Sequence, residues 1–153
     1  MSPGDEVRVR DVMNGSPATI AEDAHVRAAV EIVASGLAND VMVVDAEGRF
    51  VGLLAEGDIL RHALPNREDV VAAGGSVEDG YRAFLRRGQE LSTESIRPLV
   101  IRKPVLVSPD DHIAKIATVF VDLHIRTLAV VEGDRLVGSV SRADVCRGLV
   151  GHG

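Results

Sequence analysis

The sequence predicts an α/β protein made of two copies of one β-α-β-β-α unit, with a helical insert between the copies. Three observations predict this class. First, the chain repeats itself: Pro17-Ala18-Thr19-Ile20 returns as Pro104-Val105-Leu106-Val107, and Asp23, His25, Val26 and Val43-Val44 return as Asp110, His112, Ile113 and Val130-Val131, all at an offset of 87 residues. After the loss of one residue in an acidic turn the offset is 86, and Val51-Gly52, Asp58 and Arg61 match Val137-Gly138, Asp144 and Arg147. Second, each copy alternates short β-branched runs with stretches of helical periodicity. Third, 153 residues make one compact domain, so the copies must share it. Self-similarity over a whole supersecondary unit directs attention to the space between the copies.

The elements follow in order. Ala18 to Ala21 and Val105 to Ser108 read as first strands, and Ser108-Pro109-Asp110-Asp111 as a helix start, with proline in the first turn and acids near the positive helix end. Val26, Ala29, Val30, Val33 and Leu37 then recur at helical spacing, as do Ile113, Ile116, Ala117, Phe120 and His124. Val41 to Val44 and Leu128 to Val131 suit buried strands. Acidic turns lead from them into Phe50 to Leu54 and Leu136 to Val140 as hairpin partners, and closing helices begin near Asp58 and Asp144.

Short amphipathic lead-ins precede both copies, with Val9, Val12 and Met13 standing where Ile96, Leu99 and Val100 stand. The repeats therefore span residues 8–62 and 95–150, with an insert at 63–94. Within the insert Ser76 is placed to cap a helix with an apolar face of Val77, Tyr81, Phe84, Leu85 and Leu91, and the presence of Tyr81 and Phe84 predicts that this helix packs on the module.

Composition narrows the function. A net charge of −6 disfavours nucleic acid as a partner, because such binding rests on neutralising phosphates; the clusters Arg86-Arg87 and Arg102-Lys103 read as solvated charge. No apolar run is long enough for a membrane helix, and the first residues lack the pattern of a signal peptide, so the cytoplasm is the expected compartment. Aromatics make up 3% of residues, which leaves aliphatic side chains to build the core. Cys146, the one cysteine, stands where Leu60 stands in the first copy and reads as a buried apolar residue. His25 and His112 read as polar residues at helix starts rather than metal ligands, since neither belongs to a His-x-x-x-His spacing. No catalytic pattern is found: there is no Gly-x-Gly-x-x-Gly, no Walker pattern, no Gly-x-Ser-x-Gly and no carboxylate pair with a supporting base, so an enzyme is not expected.

The duplicated element order, the Gly-x-x-x-x-x-Asp ending of both copies, Arg126-Thr127-Leu128-Ala129-Val130-Val131 and Val137-Gly138-Ser139-Val140-Ser141-Arg142-Ala143-Asp144 together resemble a tandem cystathionine β-synthase (CBS) domain pair, or Bateman module. The resemblance covers nearly the whole chain. It implies a pseudo-twofold pair of repeats with packed sheets, with clefts between them that hold adenosyl ligands such as AMP, ADP, ATP or S-adenosylmethionine, and no obligatory cofactor.

Within such a cleft, Asp144 at a helix start suits two vicinal ribose hydroxyls, and Ser141 adds a hydroxyl beside the free N–H groups of the helix. By resemblance Arg126 points toward phosphate, and Thr19, Ile20 and Ala38 of the opposite repeat hold the base. Asp144 and Ser141 also suit a plain helix cap. A weaker second cleft would use Asp58 with Val105, Leu106 and Ile125; there Ala55 and Asn39 replace the hydroxyl and the cation, and Glu56 adds negative charge. The expected function is a regulatory module that senses an adenosyl ligand and signals in trans to a partner protein, with a ligand-free dimerisation or scaffold module as the alternative. The resemblance also implies a homodimer.

Overall fold

The computed structural model describes residues 6–36, 38, 40–102 and 104–151. Leu37, Asn39 and Lys103, named above, lie outside the described residues. A short helix α1 (Val9–Val12) leads into β1 (Thr19–Ala21), α2 (Val26–Ala34), β2 (Asp40–Val44), β3 (Phe50–Ala55) and α3 (Glu56–Ala63). The insert forms α4 (Arg67–Ala72) and α5 (Val77–Leu91). A 3₁₀ turn at Arg97–Leu99 then precedes β4 (Leu106–Val107), α6 (Ile113–Leu123), β5 (Thr127–Glu132), β6 (Arg135–Ser141) and α7 (Arg142–Gly151).

Each repeat carries a three-stranded sheet, β1-β2-β3 or β4-β5-β6, whose first pair is parallel and second antiparallel. The duplication extends to irregularities, for the antiparallel register shifts at Val43/Val44 and again at Val130/Val131. Strand alternation divides the central strands between two layers. Val41 and Val43 turn into the core of the first repeat, and Leu128 and Val130 into that of the second. The alternate residues Asp40 and Met42, with their counterparts Thr127 and Ala129, face the space between the repeats. Asp40, Met42 and Ala129 are buried there.

The lead-ins exchange. Val9 lies in the core of the second repeat, with Val7, Val12 and Met13 packed on it, while Ile96 and Leu99 lie in the core of the first. Backbone pairing follows the same pattern: Asn14 exchanges N–H···O bonds of 2.8 and 3.0 Å with Ser139, and Ile101 does so at 2.8 and 3.0 Å with Leu53. The glycine of each Gly-x-x-x-x-x-Asp motif sits under this crossing. A Cβ on Gly52 would stand 2.4 Å from the carbonyl oxygen of Ile101, and one on Gly138 2.7 Å from that of Asn14. Glycine therefore lets a neighbouring backbone pass.

Three expectations need correction. Ser76 does cap α5, its hydroxyl accepting from the Asp79 N–H at 3.0 Å, but of the predicted apolar face only Phe84 and Leu91 turn inward, while Val77, Tyr81 and Leu85 are exposed. Phe84 and Leu91 are seven residues apart and so share a face, whereas Tyr81 and Leu85 are turned away from it by roughly 60 to 100°. Cys146 is exposed, because the buried side of α7 is carried by Asp144, Val145 and Gly148. Pro109 lies ahead of α6 rather than in its first turn, in a loop closed by the Ser108 N–H donating to Asp111 Oδ2 at 2.8 Å. His112 is the N-cap, its Nδ1 accepting from the Ala114 N–H at 3.0 Å, and His25 is the N-cap of α2.

Candidate functional site

The end of β6 and the start of α7 are built around Ser141 and Asp144. The Ser141 N–H donates to Asp144 Oδ2 at 2.8 Å, and the Asp144 N–H donates to Ser141 Oγ at 3.1 Å. This reciprocal box satisfies two donors at the helix start. It also fixes the carboxylate, whose side chain is 11% exposed, with Oδ1 on the Arg147 guanidinium. In the first repeat the Ala55 N–H donates to Asp58 Oδ2 at 3.3 Å and Arg61 pairs with Oδ1, but Ala55 has no hydroxyl with which to return the bond.

Asp144 and Ser141 open onto a cleft of about 350 Å³ between the repeats. The second repeat contributes Thr127, Ser139, Ser141 and Asp144. From the first come Pro17, Ala18, Gly36, Ala38, Asp40 and Met42, with Asn14 of the exchanged lead-in closing one side.

Of the residues expected from sequence, Ala38, Ser141 and Asp144 meet in this cleft. Thr19 and Ile20 do not line it. Ile20 is turned by strand alternation into the core, and Thr19, register partner of the cleft-lining Met42, lies one residue beyond the lining, where Ala18 and Pro17 stand instead. Arg126 is likewise outside the lining; its guanidinium is 3.5 Å from Glu56 of the first repeat. The two side chains are about half exposed, so this is a screened surface pair.

The second-cleft set is not brought together. Asp58 borders a shallow pocket with Arg61, His62 and Pro98 to Ile101, whereas Val105 and Leu106 are exposed elsewhere and Ile125 packs on the core of the second repeat. Asn39, expected to mark the missing cation there, lies outside the described residues.

Sequence reasoning missed Asp40. The residue is 9% exposed and stands beside Thr127, its counterpart in the other repeat, in the lining of the cleft. Burial holds this carboxyl above the usual carboxylate range, against the opposing pull of Arg126 and of the Thr127 side chain. The signal was the Asp40/Thr127 match at the 87-residue offset: two residues related in this way meet at the pseudo-twofold axis.

Against known proteins, the family model described as "CBS domain" matches residues 9–65 and again 96–151. An uncharacterized protein of Methanocaldococcus jannaschii is 23% identical, the match covering 96% of this chain and 94% of that protein. Among solved structures, CBSX2 in complex with AMP superposes with a TM-score of 0.72 at 17% identity, over 94% of this chain and 96% of that one. The CBS domain pair of protein MJ0100, in complex with 5′-methylthioadenosine and S-adenosyl-L-methionine, gives 0.65 at 19% identity, over 92% and 98%. Among the described residues no helix is long and apolar enough to cross a membrane.

Proposed function

The chain belongs to the CBS domain family, and from that premise we propose that it is a regulatory module that binds an adenosyl ligand in the cleft beside Asp144. One observation carries this reading: the cleft is lined from both repeats, with the Ser141–Asp144 pair at one wall and the small apolar Ala18 and Ala38 at the other. Asp144 accepts from the ribose hydroxyls, and the alanines leave room for the base. AMP, ADP, ATP and S-adenosylmethionine are the candidate ligands, in keeping with the ligands of CBSX2 and MJ0100. A ligand that touches both repeats favours one arrangement of the pair, and a partner protein in the cytoplasm reads that arrangement in trans. The module performs no catalysis of its own. It works as a homodimer, a reading supported by the apolar side chains of Val121, Leu149 and Val150 that α6 and α7 leave exposed. Light scattering at micromolar concentration should report a dimer mass, and a monomer mass with and without ligand would exclude it.

The alternative, a ligand-free dimerisation or scaffold module, is favoured by the Ser141–Asp144 box, which satisfies both residues without a ligand. Calorimetry separates the two readings. One adenosyl ligand should bind per chain, Asp144→Ala should abolish that binding while the protein stays folded, and Asp58→Ala should leave it nearly intact. A chain that gives no heat and no thermal shift with any adenosyl compound is the scaffold.

A further inference from the structure

Among the described residues the cleft lining carries two carboxylates, Asp40 and Asp144, and no cation. Both residues are buried, Asp40 at 9% and Asp144 at 8% exposed. The nearby arginines lie outside the described lining: Arg147 pairs with Asp144, and Arg126 is 3.5 Å from Glu56 while also pulling on Asp40. The rest of the described lining is uncharged. Asp40 occupies the position that Thr127 holds in the other repeat, and both line the cleft, so the buried Asp40 stands at the contact between the repeats.

We propose that Asp40 sets the ligand specificity of this cleft, selecting adenosyl compounds whose 5′ substituent is uncharged or cationic, a thioether or a sulfonium, over nucleotides that carry phosphate. This rests on the reading of the cleft as an adenosyl site. Asp144 is committed to the ribose, so a phosphate entering the same cavity meets the field of Asp40, which Arg126, outside the described lining, opposes only in part. Like charges brought together out of water are strongly disfavoured. A neutral thioether avoids that repulsion, and a sulfonium turns it into attraction. Burial raises the proton affinity of Asp40, and the approach of a phosphate raises it further, so phosphate binding also demands proton uptake.

The test is calorimetry with four probes, adenosine, 5′-methylthioadenosine, S-adenosylmethionine and AMP, on the parent protein, Asp40→Asn and Asp40→Ser. The parent should bind 5′-methylthioadenosine about tenfold or more tighter than AMP. Both variants should recover most of that difference by gaining AMP affinity, while 5′-methylthioadenosine stays within about threefold. The parent ratio stands as a measurement even if one variant fails to fold. AMP binding the parent as tightly as 5′-methylthioadenosine, or a ratio unchanged in both variants, overturns the assignment to Asp40 while leaving the adenosyl site intact. If none of the four probes binds the parent, the adenosyl reading itself falls, and this inference falls with it.

Discussion

At the scale of the residue, buried polar groups and close-packed glycines decide most of what the molecule can do. The folded state holds the Asp40 proton more tightly than the unfolded chain does, because burial raises its pKa. Stability therefore falls as pH rises from the ordinary carboxylate value through the raised one. Asp40→Asn removes that loss: its Tm should exceed the parent's at pH 7, and the gain should vanish below about pH 4. Thermal denaturation across that range checks the sign, and a Tm difference independent of pH would contradict it. Gly52→Ala and Gly138→Ala should each cost about 1 to 3 kcal/mol, because the atom nearest the new Cβ is a backbone carbonyl oxygen that no side-chain rotation can clear, and urea denaturation should show both losses. Asp144 and Ser141 were legible as a reciprocal helix cap, because a hydroxyl and a carboxylate three residues apart at a helix start form a local motif; that this cap opens onto a cleft depends on the other repeat. Asp40 was not, since a charged residue opening a strand looks like an edge until the opposite repeat covers it. Thr19 and Ile20 stand one or two positions from the lining residue Ala18, a displacement that strand alternation turns into the difference between cleft and core.

At the scale of the element, periodicity foretold the strands and helices of both repeats but not which side of α5 is covered. A helical pattern gives the angle between residues; what packs on each side comes from the rest of the fold. Here α3 and the first core lie under Phe84 and Leu91, and α4 lies beside Gly80, where Val70 would stand 3.5 Å from an added Cβ. Leu91, 2% exposed, should cost about 2 to 5 kcal/mol on truncation to alanine. Tyr81→Ala, at a position 67% exposed, should change stability by less than about 0.5 kcal/mol. Equal losses in denaturant melts of the two variants would mean that α5 packs through the other side. The Ser76 cap was readable because serine followed three residues later by an acid is a local signal that needs no tertiary partner.

At the scale of the whole molecule, the duplication was plain in the sequence, but the exchange of lead-ins was not, because a matched pair of segments reads the same whether each serves its own copy or the other. Removing residues 1–13 takes Val9, Val12 and Met13 from the second core, not the first. Amide exchange should then accelerate in α6 and α7, with α2 keeping most of its protection; the opposite pattern would refute the exchanged arrangement. A lone repeat with its own lead-in would thus possess an arm that fits nothing in itself and a notch that nothing of its own fills. Two such half-length chains would answer each other's need, and the association would close at two with no valence left over. The protein amounts to a swapped pair in which one strand of chain runs through both partners. Because the arms already latch the halves together, the segment joining them is relieved of holding them in register, and its length is free to vary.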